Sequence, residues 1–206
     1  DSQGLLKETM KELDVNIKQF PPGMMHHMIS RLKSECIASD DFEGKHSDEI
    51  FPKTLSNIYE RYQKRLTDAN AFDFDDLIMK TVELFETHPD ILEKYQNRFR
   101  YIHIDEYQDT NTAQYRFVRM LAKKYRNLAV VGDDAQSIYS FRNADFRNIL
   151  NFEKDWPDAK IIVLDENYRS TKRILDAANR VIAGNINQKQ KNLWTQNKDG
   201  ALLELA

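Results

Sequence analysis

The 206 residues contain one cysteine, Cys36, so no internal disulfide and no cysteine-built zinc site can hold the fold together. There are six glycines, and none stands in the G-x-x-x-x-G-K-[ST] order of a phosphate loop. Gly44 and Lys45 make the one GK pair, but His46 follows and Ser39 occupies the first-glycine position. No apolar run approaches the ~20 residues of a membrane span. No signal peptide is read at the start, and the expected location is cytoplasmic. A basic excess is missing too: the net charge is −3, so any nucleic-acid contact must come from a local groove rather than a global field. Repeats and low-complexity tracts are absent.

What is present is a well-solvated globular chain, 41% hydrophobic and 31% charged. Residues 1–69 read as all-helical. Leu6, Met10, Leu13 and Ile17 form one stripe. Met25, Met28, Ile29, Leu32 and Cys36 form a second after Pro21 and Pro22, and Phe51, Leu55, Ile58, Tyr59, Tyr62 and Leu66 form a third. The methionines at this spacing read as core. Lys53, Arg61, Lys64 and Arg65 read as a solvated helix face. Asp73 is placed to cap the next helix, with Asp76 in its first turn. The expected buried side of that helix is Phe74, Leu77, Ile78, Val82 and Phe85. Pro89 then opens a short helix.

Three short apolar runs follow, each ending in a polar cluster. Tyr101–Ile104 runs into Asp105 and Glu106. Leu128–Val131 runs into Gly132, Asp133, Asp134, Ala135, Gln136 and Ser137. The run within Lys160–Leu164 leads to Asp165, Glu166, Asn167, Tyr168, Arg169 and Ser170. Amphipathic helices lie between them, over Thr112–Tyr125 and Asp145–Phe152. Strand, helix, strand, helix, strand predicts a parallel sheet with the clusters on one edge, where open α/β sheets bind ligands. From Thr171 another helix is expected to bury Ile174, Ala178, Val181 and Ile182 and to stop at Gly184. Asn185–Gly200 reads as a loop anchored at Trp194, and Ala201–Leu205 as the start of a strand. Two adjacent carboxylates at a strand end suit a Mg²⁺-nucleotide, one holding the hydrated metal and the other orienting a water. A plain acidic turn is the alternative for such a pair taken alone.

The segments IDEYQDT (104–110), GDDAQSIYSFRNAD (132–145) and ENYRST (166–171) resemble motifs II, III and IV of the superfamily-1 DNA helicases of the UvrD/Rep/PcrA type. FDFDDLI (72–78) is similar to a further signature of that group. The resemblance implies a partial RecA-like α/β fold preceded by a helical subdomain. The division it suggests is a helical insertion over 1–69, which helps hold duplex DNA, the second part of the first RecA-like domain over 70–160, and the start of the second over 161–206. It implies ATP and Mg²⁺ as cofactors, with Asp105 on the metal, Glu106 as base, Gln136 sensing the γ-phosphate, Tyr168 stacked on adenine and Arg169 reaching the γ-phosphate. Tyr139, Phe141 and Arg142 would meet single-stranded DNA. Asn143 stands where the family usually has glycine, and asparagine is the next residue able to take a left-handed turn.

The implied activity is ATP-driven 3′–5′ translocation and duplex unwinding in repair or replication, with single-stranded and duplex DNA as partners. Without a phosphate loop or later motifs, 1–206 is expected to be an inactive piece of a longer helicase. The alternative is a non-catalytic helicase-like module that binds DNA or protein.

Overall fold

A computed structural model describes residues 2–185 and 191–204, without the side chains of Lys45 and Arg142. The chain begins with helices α1 (Ser2–Glu12), α2 (Pro22–Ser34) and α3 (Ile50–Asp68). Pro22 opens α2 because the first helical position has no use for a backbone N–H. Leu6, Met10, Met25, Ile29, Leu32, Leu55, Ile58, Tyr59, Tyr62 and Leu66 close into one core, so the methionines at those stripe positions are packing residues. The first stripe ends early: α1 stops at Glu12, Asp14 turns left-handed, and Leu13 and Ile17 are exposed. Arg61 and Arg65 pair with Glu12 and Glu8 of α1, and Lys64 with Asp68. Arg61 and Arg65 are thus engaged by α1, while Lys53 and Lys64 stay exposed, as a solvated face would.

Helix α4 (Phe74–Thr87) begins at the expected Asp73 cap, and the structure completes it into a capping box: Asp73 accepts from the Asp76 N–H, and the Asp76 side chain accepts in turn from the Asp73 N–H. Its buried face is Asp76, Met79, Val82 and Phe85. Phe74 and Leu77, expected inside, are exposed. The reason is Lys33 of α2. Its ammonium is fully buried, 2.7 Å from Asp73 Oδ2 and 2.9 Å from Asp76 Oδ1, and lies over the Tyr62 ring. A buried charge demands partners, so α4 turns Asp76 inward and rotates Phe74 and Leu77 out.

After α5 (Pro89–Arg98), β1 (Ile102–Ile104) pairs in parallel with β2 (Leu128–Val130), in the register Ile102↔Leu128 and Ile104↔Val130, with α6 (Thr112–Ala122) as the crossover. Tyr101 falls outside the strand and is exposed. Asn111 and Gln114 make a second capping box at the start of α6. The helix expected over Asp145–Phe152 is two short pieces, α7 (Arg147–Leu150) and α8 (Phe152–Asp155).

The third strand is not formed. Ile161, Ile162, Val163 and Leu164 are 55–78% exposed, and among the described residues they have no ladder partner. A strand exists only through its neighbour's hydrogen bonds, and the two-stranded sheet offers none here. Residues 201–204 likewise carry no strand. α9 (Lys172–Ile182) buries Leu175, whereas Ile174 and Val181 of the expected apolar face are exposed. The observed architecture is a helical body carrying a small parallel sheet. Among the described residues, no helix is long and apolar enough to cross a membrane.

Candidate functional site

β1 delivers Asp105 and Glu106 directly past its last paired residue, at the C-terminal edge of the sheet. Asp105 Oδ1 accepts from the Glu106 N–H at 2.9 Å. Glu106 itself adopts a left-handed backbone, φ 48° and ψ 44°. A non-glycine residue held there costs on the order of 1–3 kcal/mol, and such strain concentrates at functional sites. Both carboxylates face solvent. Next comes a 3₁₀ turn, Tyr107–Asp109, anchored by the buried Tyr107 ring, which meets Phe152 edge-on at 5.7 Å.

Gln108 is the hub that joins the two strand ends. Its side chain is buried; Nε2 donates to Glu106 Oε2 at 2.8 Å, while Oε1 accepts from the Asp133 N–H at 2.9 Å. The loop after β2 must approach closely for this, and Gly132 allows it: a Cβ there would lie 2.6 Å from Gln108 Oε1 and 2.7 Å from Ile149 Cδ1. Beside it, Asp109 Oδ1 is buried without a hydrogen-bond partner among the described residues. Burial, then the Glu106 charge, push the Asp109 carboxyl above the usual carboxylate range.

Asp133 organises the second cluster. Its Oδ1 accepts from the Ala135 N–H at 2.9 Å and its Oδ2 from Gln136 Nε2 at 2.8 Å. Asp105, Glu106 and Gln136 are thus linked through Gln108 and Asp133. Further along the loop, the rings of Tyr139 and Phe141 lie 5.7 Å apart, and Phe141 is 64% exposed. The side chain of Arg142 lies outside the described residues. Asn143 takes φ 64°, the left-handed conformation its glycine-like position requires, and its amide donates to Ser34 Oγ of α2 at 3.2 Å. The aromatic turn is thereby tied to the helical body.

Tyr168 and Arg169 are both exposed and lie in a turn built by Asn167, whose Oδ1 accepts from the Arg169 and Ser170 N–H groups at 3.0 and 2.8 Å. Tyr168 Oη donates to Glu166 Oε2 at 2.8 Å, which raises its pKa above the usual tyrosine value. These two side chains stand with their own turn, not on the Gln108 network.

Two lysines were not legible as participants. Lys33 sits within an amphipathic helix, where a lysine reads as solvated; Lys191, ion-paired with Asp133, comes from a polar stretch with no motif. A cleft of about 600 Å³ between α3 and α4 includes none of the candidate residues in its lining. Among the described residues no group of three His, Cys, Asp or Glu side chains could hold a metal by itself. The oxygen-only, solvent-facing pair Asp105–Glu106 fits a hydrated, hard cation that brings phosphate ligands with it.

The model of the UvrD/REP helicase N-terminal domain matches residues 1–157, and that of the UvrD-like helicase C-terminal domain matches residues 162–206. Proteins described as ATP-dependent DNA helicase PcrA, from Staphylococcus epidermidis and Staphylococcus aureus, are 50% identical over 200 residues. That alignment covers 97% of this chain and 27% of each relative.

Proposed function

This chain belongs to the UvrD/Rep helicase family, and from that premise we propose that it supplies the catalytic carboxylates and DNA-contacting turn of an ATP-dependent DNA helicase translocating 3′ to 5′ on single-stranded DNA in repair or replication. The observation that carries this reading is the consecutive pair Asp105–Glu106 at a parallel strand end, hydrogen-bonded through Gln108 to the Asp133–Gln136 loop. The division is a helical insertion over 1–69, the later part of a first RecA-like domain over 70–160, and the opening of a second over 161–206.

Asp105, whose Oδ1 accepts from the Glu106 N–H, would hold Mg²⁺. When bound, the ion offsets charge on the ATP phosphates. Glu106, freed to rotate from Gln108, orients a water and accepts its proton. The Gln136 amide leaves Asp133 to donate to the terminal phosphoryl oxygen. Tyr168 stacks on the adenine, and Arg169 meets the γ-phosphate from the second domain. Tyr139, Phe141 and Arg142 receive unpaired bases and backbone; stacking on such rings contributes roughly 1–3 kcal/mol per base without sequence preference. Duplex DNA is held by the helical insertion.

Residues 1–206 alone should not turn over ATP, because neither phosphate-loop amides nor their lysine are encoded in them. In the full-length enzyme, Glu106→Gln should lower DNA-stimulated hydrolysis by at least about a hundredfold, while ATP still binds. Wild-type turnover in that variant would remove Glu106 as the base. Steady turnover by 1–206 that vanishes with Glu106→Gln would instead show that the missing loop is not needed.

A further inference from the structure

The ammonium of Lys191 pairs with Asp133 Oδ1 and lies 3.8 Å from Asp134 Oδ1. The side chain is only 19% exposed, so it has left most of its water for these carboxylates. Loss of solvent lowers its pKa below the usual lysine value. Asp133 is also the anchor of Gln136, through Oδ2. Lys191 therefore touches the group that holds Gln136.

The same stretch of chain holds the other candidate phosphate contact. Trp194 pairs with the segment before Arg169: its N–H donates to Asp165 O at 3.0 Å, and its carbonyl accepts from the Asn167 N–H at 2.7 Å. The Asn197 amide donates to the carbonyls of Tyr168 and Ser170 at 3.2 and 3.0 Å. Leu193 is clamped to α9 by both ends of the Asn179 amide, at 2.8 and 3.3 Å. One end of residues 191–197 thus grips the Gln136 loop and the other grips the Arg169 turn.

We propose that Lys191 is a positioning residue that keeps the Gln136 loop in register with the Arg169 turn, so that both groups meet the same terminal phosphate. The inference rests on the roles given above to Gln136 and Arg169. With Lys191 in place, the charge of Asp133 is shared, and the Gln136 amide transfers to phosphate at little cost. Without it, Asp133 keeps its full charge on the amide, and the two parts of the site lose their link.

The test is steady-state ATP hydrolysis by the full-length enzyme at saturating single-stranded DNA, for Lys191→Met, Lys191→Arg, Asp133→Asn and Gln136→Ala. Lys191→Met should lower kcat about tenfold, with KM for ATP changed less than about twofold. Lys191→Arg should recover most of kcat, since a guanidinium keeps the ion pair. The Lys191→Met/Asp133→Asn double variant should be no worse than Asp133→Asn alone, because the two act through one contact. A Lys191→Met enzyme with wild-type kcat beside a depressed Gln136→Ala overturns the inference while leaving Gln136 as the sensor. Wild-type kcat in Gln136→Ala removes the sensor and this inference with it. If Lys191→Met also loses nucleotide-free DNA affinity, it is damaged globally. In that case Lys191→Gln decides: a depressed kcat with DNA affinity intact supports the role, and a wild-type kcat overturns it.

Discussion

The helical body and the segment beyond Pro157 carry similar apolar material and treat it in opposite ways. Residues 6–66 close a core in which Met10, Met25, Ile58 and Tyr59 are shut off from solvent. Beyond residue 157, Leu175 is the one hydrophobic side chain buried among the described residues, and Ile161–Leu164 lie open. An apolar pattern thus states a demand, and burial depends on whether a complementary face is there to meet it. Three helices within the first 68 residues can satisfy each other locally. A strand in a parallel sheet cannot, because its partners come from far along the chain.

The largest effect should come from breaking the charge cluster that links α2 to α4. Lys33→Met leaves Asp73 and Asp76 buried without their cation and should cost about 3–5 kcal/mol of unfolding free energy in urea titrations. Adding Asp73→Asn and Asp76→Asn should recover much of that loss. A change under about 1 kcal/mol in the single variant would mean that the ammonium reaches water.

Ile58→Ala comes next. Its side chain is fully buried, and truncation should cost about 2–5 kcal/mol by the same measurement.

A smaller, pH-dependent effect belongs to Asp73. Burial raises its pKa, but the Lys33 charge and hydrogen bond, the Asp76 N–H and the Tyr62 hydroxyl outweigh it, and the net shift is downward. The unfolded carboxyl titrates near its ordinary value of about 3.9. The stability it contributes is therefore complete above that value and drains away as pH falls through the lower folded pKa. Urea midpoints measured downward from neutral pH should fall in this acid window, and Asp73→Asn should flatten the fall. An identical acid profile in the variant would assign the loss to other carboxylates.

Smallest of all should be Ile162→Ala, within about 0.5 kcal/mol of wild type, because the side chain is already in water. A loss matching that of Ile58→Ala would show that residues 161–164 are covered in solution and would dissolve the contrast between the two regions.

Much of the site was readable because its logic is local. The pair Asp105–Glu106 follows its apolar run directly, the Asp73 cap lies three residues from Asp76, and Asn143 takes the left-handed turn that a glycine would. The first two depend on spacing along the chain and the third on the family resemblance, and all could be read before folding, as could the helical character of residues 1–69 and the parallel β1–β2 pair. Packing between distant segments, by contrast, set which face of α4 is buried, made Lys33 a core residue, joined two strand ends through Gln108, and brought Lys191 to Asp133 across 58 residues. A charged side chain's solvation depends on what is packed against it. That is fixed by contacts between segments distant in sequence, which neither periodicity nor motif spacing encodes.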